Sequence, residues 1–148
     1  MQENDKEFLP IKTELVNIET YLKLEQLRFQ FNYQIEIDQQ IDTNTTEIPS
    51  MILQPIVENS IKHGIAGLYE KGNVSIQIST KEKDLLICIK DNGIGFDTSK
   101  KSNGLGLSLT RDRIQLLNQS LKGQQIELAI QSQQSEGSSV FLSFKNWL

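Results

Sequence analysis

The sequence predicts an α+β protein, a two-layer sandwich in which helices cover one face of a mixed, mostly antiparallel sheet. Apolar residues recur at helical spacing in three segments and alternate with polar residues in five others. The order helix, strand, helix, strand, strand, helix, strand, strand does not alternate as a doubly wound parallel fold does. The 148 residues, 37% of them apolar, suffice for one packed core.

The first helix is indicated by apolar residues at Leu15, Ile18 and Leu22, with Glu14 among its polar positions. We expect the apolar stripe to be a packing surface. The period then changes to two over residues 31–37, where aromatic residues and isoleucines alternate with polar residues. This alternation predicts a strand with one buried face.

The second helix, over residues 52–64, divides into an apolar side and a polar side. Its apolar side comprises Ile52, Leu53, Ile56, Val57, Ser60, Ile61 and Gly64, and its polar side Gln54, Glu58, Asn59, Lys62 and His63. Pro55 must lie near the first turn, because deeper inside the helix it would remove a backbone hydrogen bond.

The rest of the chain predicts two hairpin-like strand pairs separated by a helix. Residues 73–80 and 84–90 alternate on either side of a short polar link. Apolar residues that include Leu107 and Leu109 then predict a helix that ends at Gly123. Two final strands follow, over 125–131 and 138–145.

Composition narrows the classes of partner. With 15 basic and 19 acidic residues the formal charge is −4, which argues against nucleic acid as a partner. The one cysteine, Cys88, lies in an apolar run, which predicts a buried, inert thiol. No apolar stretch approaches the roughly 18 to 20 residues that a membrane crossing requires. We therefore expect a cytoplasmic domain.

A glycine-rich stretch, residues 91–106, holds the residues most suited to a ligand. It holds two signals, Asp-Asn-Gly-Ile-Gly-Phe at 91–96 and Gly-Leu-Gly-Leu at 104–107. Neither G-x-x-x-x-G-K-[ST] nor a helix-opening G-x-G-x-x-G after the first strand is present, which excludes both common phosphate loops. Such glycines let the backbone take positive φ or let a flat ligand come close. A carboxylate at a strand end before them can accept a hydrogen bond from an amino group.

These motifs and the second helix resemble the ATPase fold shared by gyrase, the heat-shock chaperone, histidine kinases and mismatch-repair ATPases. Residues 53–64 resemble its N box, 91–95 its first glycine box and 104–107 its second, in the family's order and spacing. The resemblance is closest to LytS-like sensor histidine kinases, whose N box has the same Gln-Pro-x-x-Glu-Asn-x-x-x-His pattern. Residues 14–29 resemble the stretch that follows their phosphoacceptor region.

The resemblance implies a role for individual residues in binding ATP or ADP. Asp91 would accept the adenine amino hydrogen, and Gly93 and Gly95 would let the backbone pass near the base. Residues 96–103 would form a short lid. The second glycine box would present its amides to phosphate at the start of a helix, and its residues are Gly104, Leu105, Gly106 and Leu107.

The same resemblance assigns the metal and the phosphates to the N box. Asn59 would supply an oxygen ligand to Mg²⁺, and substrate phosphates and waters would supply its other ligands. Lys62 and His63, three and four residues further along the polar side, would meet phosphate oxygens. Together with Glu58, whose role stays open, they are the candidate catalytic residues.

The N box also favours one branch of the family. In the gyrase and chaperone branches of the family that the N box resembles, a glutamate four residues before the magnesium-binding asparagine assists the attack of water. That position is Pro55 here, which cannot act as a general base. Phosphoryl transfer is mostly positioning and charge neutralisation, so a histidine from elsewhere could use the same ATP site. A kinase is therefore favoured, with a pseudokinase-like regulatory module and an anti-sigma-factor-type serine kinase as alternatives.

The only histidine is His63, within the N box itself. LytS-like kinases carry their acceptor histidine upstream of a segment like 14–29. We therefore expect a piece of a longer kinase, with 1–30 the tail of a dimerisation region and linker helix and 31–148 the ATP-binding catalytic domain. The resemblance implies a homodimer through the upstream region, a response regulator as partner, and a membrane anchor only in upstream segments.

Overall fold

The computed structural model describes residues 7–65, 68, 71–93, 105–132 and 137–148. Gly95, Gly104 and the expected lid over 96–103 lie outside the described residues. No helix in the described part of the chain combines the length and the apolar character that a membrane crossing requires.

Seven strands, three α-helices and one π-helical turn make up the described part of the chain. In chain order they are β1 (Phe8–Pro10), α1 (Ile11–Glu25), β2 (Asn32–Ile37), β3 (Glu47–Pro49), α2 (Gln54–Asn59), the π turn (Ser60–Ile65), β4 (Asn73–Lys81), β5 (Asp84–Asp91), α3 (Leu105–Ser120), β6 (Gln125–Ser132) and β7 (Ser138–Lys145). All five predicted strands are present, with boundaries within a residue or two of those expected.

Five strands form one mixed sheet in the order β2-β4-β5-β7-β6. The edge strand β2 runs parallel to β4, and the other three neighbouring pairs are antiparallel. The predicted α+β fold with a mixed, mostly antiparallel sheet is confirmed. In this order β5 and β7 are central neighbours, although 46 residues separate their first hydrogen-bonded partners, Asp91 and Ser138, in the chain.

One face of this sheet builds the core. Alternate residues of β4 and β5 are buried, among them Val74, Ile76 and Ile78, and the intervening residues face away from the helices. Phe144 on β7 is fully buried in the same cluster. Each such side chain contributes about 1.5–3 kcal/mol when it leaves water. The alternation written in the sequence therefore decides which face the helices cover.

Helix α1 packs into the same core and corrects one detail of its predicted pattern. Leu15, Ile18 and Leu22 are buried as expected. Glu14, expected at a solvated position, is only 1% exposed. The apolar face of α1 is wider than predicted because it begins at Ile11, and Glu14 falls within it. The assignment of residues 1–30 to the end of a dimerisation region stays a prediction.

Helix α3 also departs from its predicted pattern. It ends at Ser120, and Gly123 follows after a short loop with a left-handed φ of 71°. Leu107 is buried, but Leu109 is 64% exposed. Residues two positions apart in an α-helix lie about 200° apart around its axis, so Leu109 points away from the core. The placement of Leu109 in the apolar stripe was therefore wrong.

A small second sheet was missed altogether. Strands β1 and β3 pair antiparallel over three residues each, which is too short for a visible alternation. Trp147 joins this sheet to the main one. Its indole N–H donates to the carbonyl of Glu47 at 2.6 Å, and its ring lies against Phe8 and Phe144 with centroid distances of 6.3 and 5.2 Å.

Cys88 is half-buried on the sheet face that carries no helix, rather than in the core as expected. Its neighbours Ile87 and Ile89 point to the helices, so the two-residue period turns Cys88 outward. Burial nevertheless raises the pKa of its thiol, against the opposing charge of Lys90. A raised thiol pKa means little thiolate, in agreement with an inert cysteine.

Candidate functional site

Asp91 is the last residue of β5, and both of its carboxylate oxygens are held by the protein. It is 3% exposed. The Gly93 N–H donates to Asp91 Oδ1 at 2.9 Å, and the Ser138 hydroxyl donates to Oδ2 at 2.7 Å. An ionised carboxylate offers about four acceptor sites, so two charge-assisted bonds orient it and leave capacity for a ligand donor.

Ser138 and Gly137 were missed in the sequence, although they complete this part of the site. Ser138 opens β7 directly opposite Asp91 in the antiparallel ladder. Gly137 has φ +82°, and a Cβ built on it would lie 2.3 Å from the Asp91 carbonyl oxygen. Only glycine fits so close to another backbone. A Gly-Ser pair opening a strand was the available signal, but its meaning depends on which strands are neighbours.

Asn92 fixes the chain where it leaves β5. Its Oδ1 accepts the Asn73 N–H at 2.7 Å, and its Nδ2 donates to the Lys71 carbonyl at 2.8 Å. The side chain thus holds the start of β4 beside the end of β5. Asn92 has a structural role in the first glycine box, because all of its described side-chain bonds go to backbone groups of this neighbouring segment.

The N box begins on α2 as the sequence predicts. Leu53 precedes the helix and Pro55 lies in its first turn, where its missing N–H costs nothing. The predicted apolar side is confirmed wherever its burial is described, with Ile56 and Val57 fully buried. Asn59 is the last residue of α2 and is half-buried.

The helix does not continue as a regular α-helix. From Ser60 it widens into the π turn, a rare geometry that often marks functional sites. Lys62 and His63 lie in this turn, and both are exposed. The turn contacts β4 and β5, and β5 ends at Asp91. The N box and the first glycine box therefore lie on elements that touch each other.

Glu58 accepts a hydrogen bond from its own helix and lies near α1. Gln54, one turn earlier, donates to Glu58 Oε2 at 3.1 Å. Tyr21 of α1 lies close enough to feel its charge: burial, then the charges of Glu25 and Glu58, raise the pKa of Tyr21 to about 12. Tyr21 therefore stays a neutral phenol at physiological pH.

Of the second glycine box, the structure describes Leu105 to Leu107. These residues form the first turn of α3, where backbone N–H groups lack intrahelical partners. The Leu107 side chain is 3% exposed and packs in the core, so only its amide is left for a ligand. The predicted helix start is confirmed.

Comparison with known proteins decides the family. A sequence model described as "Histidine kinase-, DNA gyrase B-, and HSP90-like ATPase" matches residues 45–147. The chain belongs to this ATPase family. The matched region of the ATPase domain contains α2, the π turn, β5, α3 and β7, and hence every candidate site residue discussed above.

Sensor histidine kinases are among the relatives of this ATPase domain. The sensor histidine kinase BtsS of Escherichia coli K12 is 33% identical over 108 residues, which are 73% of this chain and 19% of BtsS. The sensor protein LytS of Bacillus cereus is 28% identical over 144 residues, covering 89% of this chain and 24% of LytS. This is an ATP-binding domain of the histidine kinase type, and it spans about a fifth to a quarter of the length of these relatives.

A solved structure shares the fold of the ATPase domain. Histidine kinase ThkA in complex with the response regulator protein TrrA superposes with a TM-score of 0.66 at 12% identity, covering 92% of this chain and 40% of ThkA. At this identity the likeness concerns the fold alone.

Proposed function

We propose that this domain binds Mg-ATP and serves as the catalytic domain of a sensor histidine kinase, which transfers the γ-phosphoryl group to a histidine in another part of a longer protein. The observation that carries the proposal is the Asp91 carboxylate, buried at the end of β5 and oriented by Gly93 and Ser138. It stands next to the elements of the N box. A preoriented buried acceptor of this kind suits the amino group of adenine.

The chemistry of the residues fits a magnesium nucleotide. Asn59 offers an amide oxygen, a hard ligand of the kind that Mg²⁺ prefers. Lys62 and His63 are exposed on the π turn that follows, where their side chains can reach phosphate oxygens. Magnesium supplies charge neutralisation on the phosphates when it is bound. In this assignment the backbone amides at the start of α3 complete the phosphate site.

The position of Pro55 supports a kinase. Proline occupies the first turn of α2, where the hydrolytic branches carry their glutamate, and it has no group that could activate water. Glu58, the one carboxylate in α2, accepts a hydrogen bond from Gln54. We assign it an orienting role within the N box.

The partners follow from the same proposal. A histidine kinase passes its phosphoryl group to a response regulator, and the complex of ThkA with TrrA is an example of such a pair on this fold. We propose a response regulator, a homodimer through an upstream dimerisation region and a membrane anchor in upstream segments for the longer protein.

Calorimetry tests the nucleotide site. Asp91→Asn keeps the size of the side chain and the acceptor for Gly93, but removes the charge that the adenine amino group would meet. We expect ADP affinity to fall by roughly ten- to a hundred-fold, which corresponds to about 1.5–3 kcal/mol for a charge-assisted bond. Asn59→Ala should lower the affinity in magnesium and leave that in EDTA unchanged.

Asp84→Asn is the matched control. Asp84 starts the same strand and its Oδ1 accepts the Asn146 N–H at 2.9 Å, at the opposite end from Asp91. Its substitution should leave affinity unchanged. Equal affinities for the wild type and Asp91→Asn would contradict the adenine assignment.

A further inference from the structure

Glu14 is a buried carboxylate that the proposed reaction does not use. It lies on α1, is 1% exposed, and its Oε2 accepts the backbone N–H of Met51 at 2.9 Å. Burying a carboxylate at such depth costs free energy, which a specific hydrogen-bond partner offsets in part. Its described hydrogen bond goes to the backbone of the turn that precedes α2.

Met51 adopts an unusual conformation at this point. Its φ is 60°, in the left-handed region that non-glycine residues avoid, and 47% of its surface is exposed. A methionine in this region must be held there by its surroundings. The Met51 N–H donates to the Glu14 carboxylate, and among the described contacts this is the side-chain bond that fixes the Met51 amide.

The turn at Met51 sets the start of the N box. The Ile52 N–H donates to the Pro49 carbonyl at 3.3 Å, and the Val57 N–H donates to the Leu53 carbonyl at 3.0 Å. The first helical bond of α2 thus begins two residues after Met51. Asn59 follows five residues after Gln54, the first residue of this short helix.

Helices α1, α2 and α3 meet at this turn. A cavity of about 290 Å³ between α2 and α3 is lined by Met51, Pro55, Glu58 and Arg113, among others. The charge of Arg113 acts on Glu14 from α3. One buried carboxylate of α1 is therefore bonded to the turn from which the N-box helix starts, beside a cavity that α3 also lines.

We propose that Glu14 is a positioning residue for the N box: by holding Met51 in its left-handed turn it sets the start of α2, and through α2 the place of Asn59 beside the nucleotide's phosphates. The proposal rests on the nucleotide site of the proposed function. It adds that α1 acts on the site, so that any shift of α1 changes magnesium-dependent binding.

The test measures ADP affinity by calorimetry, with magnesium and with EDTA, at a temperature where circular dichroism shows each variant folded. Glu14→Met fills the same space without an acceptor for the Met51 amide. We expect the ADP affinity of Glu14→Met in magnesium to fall roughly tenfold, which is the smallest loss usual when a residue that supports a metal ligand is removed. Its ADP affinity in EDTA should be unchanged. Glu14→Gln retains an acceptor and should bind within roughly twofold of the wild type.

A second substitution separates positioning from general stability. Glycine adopts a positive φ without strain, so Met51→Gly frees the turn from its dependence on Glu14. The double variant Glu14→Met/Met51→Gly should recover affinity relative to Glu14→Met. Glu19→Ala, which removes the 3.1 Å bond from the Tyr33 hydroxyl to α1, is the matched control and should lower stability alone.

The two proposals fail differently. A wild-type domain that binds no nucleotide would overturn the proposed function. A wild type that binds, with Glu14→Met equal to it in magnesium, would overturn the positioning role alone. Loss of affinity in Glu14→Met that Met51→Gly does not restore would also overturn it. If Glu14→Met does not fold, Glu14→Asp replaces it, because its shorter side chain withdraws the carboxylate from Met51.

Discussion

At the scale of single residues, the site depends on close contacts between backbone and side chain more than on unusual residue types. Asp91 is one aspartate among several, but two donors orient it, the Gly93 N–H just after β5 and the Ser138 hydroxyl at the start of β7. Removing one hydrogen-bond partner of such a buried polar group costs much free energy, because the group that remains stays desolvated. Substitutions of the supporting residues should therefore act on the site itself.

Gly137→Ala should damage both stability and nucleotide binding. The new Cβ would meet the Asp91 carbonyl at 2.3 Å, so the backbone that carries the carboxylate must move. We expect a loss of about 1–3 kcal/mol from the left-handed φ alone, and a clear drop in ADP affinity in addition. Urea unfolding and calorimetry measure the two effects.

The matched control is Gly123→Ala. Gly123 has a similar φ of +71°, but nothing lies within 4 Å of its added Cβ. It should lose stability through φ strain and keep its affinity for ADP. Equal binding by the two variants would show that Gly137 does not support Asp91.

The pH dependence of stability should reveal Glu14. Burial raises the pKa of its carboxyl above the ordinary 4.5, while the Met51 hydrogen bond and the Arg113 charge lower it. An acid whose folded pKa is raised costs nothing below its unfolded pKa, and the penalty grows as pH rises through the folded pKa. The free energy of unfolding of the wild type should therefore fall, relative to Glu14→Gln, as pH rises from 4.5. A difference that is constant with pH in urea titrations would contradict this.

At the scale of elements, short segments carry much of the arrangement. The N box combines an α-helix of six residues with a π turn of six, so neither could be stable alone. Both are held by the core and by the turn at Met51. The position of Asn59 therefore depends on the packing of three helices and not on α2 alone.

Asn118 shows how one side chain can hold an element. Its Oδ1 accepts the Ile126 N–H at 2.8 Å, and its Nδ2 donates to the Ile126 carbonyl at 2.9 Å, which ties α3 to β6. Asn118→Ala should cost about 1–3 kcal/mol for two lost bonds, without a change in ADP affinity. Gln119→Ala, at the exposed neighbouring position, should stay within about 0.5 kcal/mol of the wild type. Equal unfolding midpoints for the two variants would contradict this assignment.

At the scale of the whole molecule, we expect the 148-residue chain to bind ATP without phosphorylating itself on histidine. His63 lies on the π turn directly after Asn59, to the side of the bound phosphates in our assignment, whereas phosphoryl transfer needs an attacking atom in line with the leaving oxygen. With γ-labelled ATP, a longer form of the protein that includes an upstream acceptor should be labelled and this chain should not. Acid-labile label on this chain that disappears in His63→Gln would make His63 the acceptor instead.

Much of this architecture can be predicted from the sequence, because the signals involved are local. The period of two along β4 and β5, the apolar side of α2 and the first-turn position of Pro55 each depend on neighbouring residues in the chain.

The sequence by itself therefore determined the fold class, the family and the identity of Asn59 and Asp91 as site candidates. Only the tertiary structure decided that β7 lies beside β5, which brings Ser138 and Gly137 to Asp91, and that Glu14 is buried against the Met51 amide. Strand order and the partners of a buried charge are set by contacts between residues tens of positions apart. Those contacts leave no periodic trace in the chain, because the free energy that selects them comes from packing of the whole core.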